Sequence, residues 1–464
     1  ASALSGVSGT ADTGVAGSFA LSITDLDTRA ALEAGSDTNI TGGGDVTLDA
    51  ESKSEAPERD GAADTADAVT DAVAAGAESA GANTTGVGVS IAIGVEDTHT
   101  EAEVADGAIL VGANDLTLDA LGDHETQTIA NSGATGGGTT GAGSLAIAVV
   151  NRETLARVGT GGTLVLGGTL DASADHSGKS VAKADSRVKG SGTAVGFTIG
   201  VAYVDDIGSV SLERDVTADG SVKLKADADG SSTMEVFASA EGADKNKTSK
   251  TTADEQKNSA TTVGQSKSST STGGKTLTGS KSANKNGNSV SVAAAIGVNV
   301  AFLTASASVA DGLTIIADDD DNDAGTGVVS VETSANQTAT TEADGSAKGE
   351  AGGTAVGIAV SVNVGIMSNR AIIGDGTNIT ADGLTLAATM RSLSGDVKHS
   401  YGADSMSGAS SGSTGVAGSF ALSVADTTTE AIFGADQDGM DDGVADLTLS
   451  GGAVVLNAVN TTEN

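Results

Sequence analysis

The sequence predicts an all-β fold: one elongated repeat β-solenoid, or parallel β-helix, of about seven repeat units, which we expect to be right-handed. The first of three supporting observations is a repeated segment. The ten residues Thr-Gly-Val-Ala-Gly-Ser-Phe-Ala-Leu-Ser at 13–22 return unchanged at 414–423, and weaker copies begin at Thr85, Thr140, Thr193, about Val290 and Thr354. Recurrence of this kind is typical of a repeat array, in which each unit buries its apolar edges by stacking on its neighbours.

The second observation is a period of two residues within the repeated segment. From Val15 onward, larger apolar residues occupy one parity and Ala, Gly or Ser the other, which predicts β-strands. Because a solvated face would carry Lys, Glu or Thr, the small-residue face is predicted to be closely covered by another layer or another molecule. The larger residues are expected to face inward: Val15, Phe19, Leu21, Val87, Val89, Ile91, Ile199, Val201, Ile358, Val360, Phe420 and Leu422.

The third observation is composition. Aromatic residues make up 2% of the chain and Trp is absent, which favours a narrow interior of stacked aliphatic side chains over a large globular core. The single proline, Pro57, fits a backbone whose N–H groups are almost all committed to ladders. We therefore expect residues 1–464 to form one solenoid instead of two or three separate domains.

A second landmark follows each repeated segment: a turn and then a short alternating strand, with Leu or Val pointing inward. Strands of about four to six residues are expected between tight polar corners, which would place about two coils in each unit. The seven landmarks span residues 44–50, 114–120, 168–174, 220–226, 327–333, 382–388 and 445–451.

Two segments depart from the pattern and are interpreted as insertions. Residues 51–81 are acidic and Ala-rich; Ala66, Val69 and Val73 would form one face of a short helix, and a mobile loop is the alternative. Residues 241–288 are rich in Lys, Ser and Thr, with almost no large apolar residue. Such low complexity cannot bury enough surface to fold alone, so we expect a loop that leaves one coil.

The formal net charge of −38 argues against nucleic acid as a partner, because phosphate binding requires a basic surface. The same charge favours divalent cations. The chain has no Cys, and therefore neither disulfides nor thiolate metal sites. No charged and apolar leader opens the sequence, so any export signal is expected to have been removed or to lie on a larger precursor. No membrane span is expected either, since polar residues interleave the uncharged run 289–310 at strand spacing.

Two oxygen-rich clusters in predicted turns are candidate calcium sites, because calcium prefers carboxylate and carbonyl ligands. The second begins like a calcium loop, but Leu447 stands where such a loop has its bidentate Glu. Solvated acidic turns are the alternative for both clusters. The candidate metal ligands are Asp318, Asp319, Asp320, Asp321, Asp323, Asp436, Asp438, Asp441 and Asp442.

Two histidines have matching positions: His124 and His176 each lie six residues after a landmark leucine, Leu118 and Leu170. This spacing predicts that they stack in adjacent units, either as an exposed ladder or as a metal-binding pair. The four scattered histidines do not assemble a Ser/His/Asp triad.

The unit at 85–120 (TGVGVSIAIGVEDTHTEAEVADGAILVGANDLTLDA) resembles the repeats of very large bacterial surface adhesins of the filamentous-haemagglutinin-like and leukotoxin-like groups. The resemblance covers nearly the whole chain outside the two insertions. It implies an exported, β-helical, non-catalytic stalk or adhesin at the bacterial cell surface, frequently part of a far longer polypeptide.

The sequence therefore leaves two hypotheses about function. The first is an extracellular structural or adhesive protein, a segment or subunit of a surface stalk, fibre or biofilm matrix filament that associates with itself head to tail or laterally, with cell-surface or matrix polysaccharide as a further partner. The second is a calcium-dependent β-helix enzyme acting on polysaccharide. The enzyme needs aromatic platforms for sugars and paired catalytic groups, whereas the chain has two tyrosines, Tyr203 and Tyr401, and no Trp.

The repeated decapeptide also carries an expectation about assembly. The last unit resembles the first more closely than it resembles its neighbours, and no polar cap is evident at either end. Free solenoid ends expose strand edges that template association. We therefore expect the chain to be one piece of a continuing assembly, joined end to end through β-ladders.

Overall fold

The computed structural model describes residues 1–8, 12–53, 68–78, 85–190, 192–242, 289–317, 327–349, 353–392, 397–435, 437 and 443–463. Within these ranges the regular structure consists of parallel β-strands, which confirms the all-β solenoid. Seven long strands form the front sheet: β2 (Thr13–Leu32), β6 (Thr85–Val104), β9 (Thr139–Val158), β12 (Thr193–Leu212), β15 (Val290–Val309), β18 (Thr354–Gly374) and β22 (Thr414–Ala435).

A second sheet, the back sheet, lies behind the first and has four uninterrupted long strands at its centre. It comprises β1 (Ser2–Ser8), β4 (Val46–Lys53), β5 (Ala68–Glu78), β8 (Leu116–Gly136), β11 (Leu170–Gly190), β14 (Val222–Gly242), β17 (Val328–Lys348), β20 (Gly383–Met390), β21 (His399–Ser410), β24 (Val454–Ala458) and β25 (Thr462–Glu463).

Short strands, the side strands, connect front to back along one edge of the solenoid. They are β3 (Asp37–Asn39), β7 (Ile109–Val111), β10 (Leu164–Leu166), β13 (Val216–Ala218), β16 (Thr314–Ala317), β19 (Asn378–Ala381) and β23 (Asp446–Leu449).

Each repeat unit forms one coil of front, side and back strand, so the expectation of two coils and of strands four to six residues long is wrong. The strands do not end where polar residues begin. In β6, for example, the strand continues from Val95 through Glu96 and Asp97 to Val104. Asp97 lies on the outer face, and Glu96 faces inward, where it pairs with Arg152, so a polar stretch by itself does not mark a turn.

The register of the front sheet confirms the repeated segments and corrects one of them. Thr13 pairs with Thr85, and Thr354 with Thr414, as the sequence alignment predicts. In the third unit, however, Thr193 pairs with Thr139, one residue before the expected Thr140. A shift of one residue would exchange the inner and outer faces of the strand. The observed pairing with Thr139 keeps the small residues on the same face in both strands.

The landmark strands occupy the start of the back sheet in six units. Their leucines and valines point inward: Leu118, Leu224 and Leu386 are at most 1% exposed. The seventh landmark, 445–451, is misplaced by the sequence pattern. It forms side strand β23, which pairs with β19, while the back strand of that coil is β24.

The solenoid interior has a wide part and a thin part. Where the three sheets meet, Leu116, Leu164 and Leu212 form part of a fully buried aliphatic core. Toward the start of the front strands only two sheets face each other, and the core consists largely of alanines such as Ala146, Ala194 and Ala238. The thin part is narrow because small side chains let the two sheets approach closely.

The small-residue face of the front sheet therefore packs against the back sheet of the same chain, as predicted. The larger apolar residues point the other way, so their expected inward orientation is wrong. Val15 is 64% exposed, and Phe19 and Phe420 are each 55% exposed. The physical reason is the close approach of the two sheets in the thin part, where the inward positions of the front strands hold small side chains. A Cβ on Gly196 would lie 2.7 Å from the carbonyl oxygen of Ser239 on the facing strand.

The outward-facing residues that were expected inside share the parity of Val15. Val87, Val89, Ile91, Ile199, Val201, Ile358, Val360 and Leu422 all lie on this outer side of the front sheet, exposed or partly exposed.

The acidic segment 51–81 contributes strands to the solenoid. Residues 51–53 complete β4, and β5 pairs with β8 through Ala68 and Thr126, so neither a helix nor a loop is present at 68–78. Pairing with the neighbouring long strand outweighs the weak helical pattern. Residues 54–67 and 79–84 lie outside the described residues. Of the second expected insertion, 241 and 242 end β14, and 243–288 also lie outside them.

The uncharged run 289–310 forms front strand β15. In the described ranges, no helix has the length and apolar character needed to cross a membrane.

Candidate interaction surface and buried polar network

An extensive apolar patch covers the outer face of the front sheet. We define it as every second residue, counted from the first, in 15–23, 87–95, 141–149, 195–203, 292–300, 356–364 and 416–424. The register aligns these residues in columns, one of which runs Phe19, Ile91, Leu145, Ile199, Ile296, Val360 and Phe420. Every position of the patch is Val, Ile, Leu, Phe, Tyr, Ala or Gly, so it carries no charged side chain.

The dimensions of the patch follow from strand geometry. Seven strands spaced about 4.8 Å apart span about 29 Å along the solenoid, and nine residues span about 26 Å along each strand. The footprint is therefore on the order of 800 Å². Aromatic rings lie at its border, where the centroids of Tyr203 and Phe302 are 5.5 Å apart.

A polar column borders the patch on the side of the strand ends. It contains Asp25, Asp97, Asn151, Asp205 and Asp426, two residues beyond the last apolar column, whereas Phe302 and Ile366 hold the same position in β15 and β18. Asn151 donates a hydrogen bond to the carboxylate of Asp97 at 2.9 Å, which links two coils. The opposite border is a column of threonines that includes Thr13, Thr85, Thr139, Thr193, Thr354 and Thr414.

Beyond the polar column, charged residues of neighbouring coils form ion pairs. Arg29 contacts Glu101 at 3.0 Å, and Arg370 contacts Glu430 at 2.8 Å. The Nδ1 atom of His99 lies 3.1 Å from Glu153. This hydrogen bond, opposed by partial burial and aided by the charge of Glu153, raises the pKa of His99 to about 9. Ladders of opposite charge therefore tie successive coils together.

The outer face of the back sheet is polar in comparison. Lys179 pairs with Glu125 at 2.5 Å and Lys183 with Glu235 at 3.2 Å. Arg391 pairs with Asp175 at 2.7 Å and also with Asp229 at 3.1 Å. The two outer faces of the solenoid thus differ in chemistry, although the strands that form them have similar length.

A buried ion network lies between the two sheets and joins the second, third and fourth coils. Arg152 is fully buried, and its Nε donates to Glu96 at 2.7 Å while its Nη1 donates to Asp206 at 3.4 Å. Thr126 and the carbonyl oxygen of Lys179 accept further bonds from Nη2 at 2.6 and 3.2 Å. Two carboxylates therefore compensate one guanidinium in a region without solvent.

His176 extends this network. Its Nε2 lies 3.3 Å from Asp206, and its Nδ1 lies 3.0 Å from the hydroxyl of Thr154. Burial by itself would raise the pKa of Asp206, but the hydrogen bond with His176 and the charge of Arg152 lower it below its usual value. Gly178 leaves the space that the Asp206 carboxylate occupies, because a Cβ on Gly178 would lie 2.5 Å from that carboxylate.

The predicted histidine pair has a different arrangement from the one expected. His124 pairs in the ladder with Gly178, and His176 with Gly122, so the rings are offset by two residues. The error arises from alignment on Leu118, because Leu116 is the ladder partner of Leu170. Both rings are buried, at most 2% exposed, which excludes an exposed ladder.

The other residues singled out from the sequence lie in the interior, in the apolar patch or outside the described residues. Tyr401 is buried and donates to Gln337 at 2.7 Å, whereas Tyr203 lies in the apolar patch. The nine aspartates predicted to bind calcium all lie outside the described residues. Among the residues that are described, no group of three or more His, Cys, Asp or Glu side chains is arranged to hold a metal ion.

Neither the patch nor the network was predicted from the sequence, although a signal for the network was present. Glu96, Arg152 and Asp206 occupy the small-residue parity of their strands, where charge is otherwise rare. Once that parity is known to face inward, charged residues there indicate a buried network. The network is closed to substrates, since its members are at most 3% exposed. It is therefore suited to hold coils in register.

A search of protein-family models, curated proteins and solved structures finds no match to this chain.

Proposed function

We propose that this chain is a non-catalytic extracellular structural or adhesive protein of the bacterial cell surface, a segment or subunit of a stalk, fibre or biofilm matrix filament that assembles end to end through β-ladders. The observation that carries the proposal is the uninterrupted parallel register of the front sheet from β2 to β22. The resemblance of the repeats to giant surface adhesins supports the same assignment. Surface or matrix polysaccharide is the external ligand class that we propose.

The positions of the outermost strands support end-to-end stacking. Ser2 precedes Thr13 by the same eleven residues as Ala403 precedes Thr414. β1 and residues 403–409 of β21 therefore occupy the same place in the coil. In the described chain, β1 pairs only with β5, and 403–409 pair only with β17.

A second copy stacked in register would place its β1 beside β21 and its β2 beside β22. The identical decapeptides would then be adjacent, with Phe19 of one copy opposite Phe420 of the other. β1 of the second copy would also cover the inward face of β22, where Ala417 and Ala421 are exposed. Both effects complete ladder hydrogen bonds and bury apolar surface.

The test is negative-stain electron microscopy of purified protein over a concentration series, compared with a Leu4→Pro variant. Proline removes a backbone donor from β1, so filaments are expected for the original chain and are expected to shorten or disappear for the variant. Val444→Pro is the control, because Val444 is 84% exposed and lies outside the strands. Monodisperse particles of the original chain at every concentration would contradict end-to-end assembly.

The alternative, a polysaccharide-active enzyme, has its own assay. Incubation with acidic polysaccharides would generate new unsaturated or reducing ends if the chain were a lyase or hydrolase. We expect none, because the buried carboxylates Glu96 and Asp206 are inaccessible and paired with Arg152.

A further inference from the structure

The apolar patch is larger than a solvent-exposed monomer surface normally presents. The largest apolar patch on a typical monomer covers about 300–600 Å², whereas the footprint estimated above is on the order of 800 Å². That value equals the area that each partner contributes to a standard protein interface, about 800 Å². The patch therefore has the extent of a specific interface.

The shape of the patch selects the kind of partner. It is a regular sheet face with in-register columns of side chains, and two such faces pack at about 10 Å in β-sandwiches. A second copy of this chain presents the same flat, repetitive face. The formal net charge of −38 opposes an anionic lipid surface and also a second copy, but the patch itself is uncharged, so two copies can meet there without like charges inside the contact.

The borders of the patch determine how two copies would be oriented. If the strands of both copies ran in the same direction, the column containing Asp25, Asp97 and Asp205 would lie against its own copy in the partner. Repulsion between these carboxylates would oppose that arrangement. If the strands ran in opposite directions, the aspartates would face the column of threonines that includes Thr193. The second arrangement places hydroxyl donors against carboxylate acceptors.

We propose that the apolar patch is the contact between two copies of this chain, which pack front sheet to front sheet with their strands reversed. The proposal deepens the self-association of the proposed function by naming its lateral surface, and it does not require end-to-end stacking. Ile199 lies in the middle strand and the middle column of the patch, so it would contact Ile199 of the second copy. Lateral pairing of this kind would join two end-to-end filaments side by side.

The first experiment measures association by sedimentation velocity with a Val201→Lys, Val298→Lys variant. These residues are adjacent in the ladder of the patch, and lysines there would be buried without partners. The matched control is Val181→Lys, Thr233→Lys, an adjacent pair on the outer face of the back sheet with the same change in charge. We expect the dimer dissociation constant of the patch variant to rise at least about tenfold, and that of the control to change less than about threefold, on the scale of 1.4 kcal/mol per tenfold.

Two results of the sedimentation measurement would overturn the proposal. The first is that the original chain forms no lateral dimer at any concentration. The second is that the patch variant and the control raise the dimer dissociation constant equally. Zwitterionic phosphatidylcholine vesicles are included as a probe of the alternative occupant. Their binding by a monomeric chain, lost in the patch variant, would assign the patch to lipid and also overturn the proposal.

The second experiment tests the orientation with a spin label at Thr193→Cys, the only thiol in a chain without native Cys. Twelve residues separate Thr193 from the polar column at Asp205, which corresponds to about 40 Å along a strand. Reversed strands would place the two labels about 40 Å apart, whereas strands in the same direction would bring them near the sheet spacing of about 10 Å. A short distance would overturn the reversed arrangement.

End-to-end and lateral contacts are distinguished by their variants. Leu4→Pro is expected to shorten or abolish filaments and to leave the paired state intact, whereas the patch variant is expected to leave single filaments. Failure of one proposal would therefore be recognised independently of the other.

Discussion

Gly196 on front strand β12 faces the backbone of Ser239 on back strand β14 so closely that a Cβ on Gly196 would lie 2.7 Å from the Ser239 carbonyl oxygen. We predict that Gly196→Ala destabilises the fourth coil by about 1–3 kcal/mol, the usual cost of overpacking. The matched control is Gly143→Ala on β9, where the nearest atom, the Phe197 carbonyl oxygen, would be 3.8 Å away. Amide hydrogen exchange should show faster exchange in β12 and β14 for the first variant only. Equal protection in both variants would contradict the close approach of the sheets.

The buried ion network gives a second prediction. Arg152→Met leaves Glu96 and Asp206 buried without their cation, so we expect a loss of about 3–5 kcal/mol in the free energy of unfolding. Arg370→Met, which breaks a partly exposed pair with Glu430, should cost about 0–1 kcal/mol. Urea denaturation, with hydrogen exchange to locate the effect, measures both.

A rescue experiment separates lost charge compensation from lost packing. In the Arg152→Met background, Glu96→Gln and Asp206→Asn remove the uncompensated charges and should restore part of the stability. If these substitutions destabilise the variant further, the network does not act through charge compensation.

Acid should destabilise the solenoid through two buried histidines. Burial lowers the pKa of His399 to about 4 and, with smaller contributions from neighbouring charges, lowers that of His124 to about 4. Nδ1 of His399 also accepts a hydrogen bond from the Gln337 N–H, which requires the unprotonated atom. Because both folded values lie below the unfolded value of 6.5, the stabilisation is complete above pH 6.5 and is lost as the pH falls toward 4.

The magnitude of this acid effect should be on the order of 3 kcal/mol for each histidine at most. His399→Gln should flatten the pH profile of the melting temperature between pH 6.5 and 4. An unchanged acid slope in this variant would show that protonation of His399 does not contribute.

The partly exposed His99 should have the opposite pH dependence. Its pKa is raised to about 9 by Glu153, so its contribution is fully present below the unfolded value of 6.5 and disappears as the pH rises through about 9. His99→Gln should therefore remove an alkaline decrease in melting temperature and leave the acid decrease unchanged. The effect should be small because the pair is solvent-screened.

Calcium binding by the two acidic clusters remains a prediction. If Asp318–Asp323 and Asp436–Asp442 hold calcium, millimolar calcium should raise the melting temperature relative to a chelator, as expected for a ligand that binds the folded state. Asp320→Asn and Asp438→Asn should reduce that shift, with Asp49→Asn as the control on the exposed face of β4. Identical melts with calcium and with chelator would identify the clusters as solvated turns.

Much of the architecture follows from the sequence because it depends on local pattern and repetition. The two-residue period predicts strands, the return of the decapeptide predicts stacked coils, and inward Leu118 and Leu224 follow from alternation in the landmark strands. The small residues at one parity also predict a closely covered face. These properties are set by neighbouring residues along the chain and need no information about the distance between sheets.

The orientation of Phe19, Val201 and Phe420, by contrast, was decided by tertiary structure. Alternation shows that a strand has two different faces, but both faces here are apolar, so the sequence pattern does not tell which one is inside. The back sheet lies so close that the first four inward positions of each front strand hold only Gly, Ala, Ser or Thr. Close packing therefore places the small side chains inside, forces the large ones to the surface, and brings Arg152 of one coil between carboxylates of its neighbours.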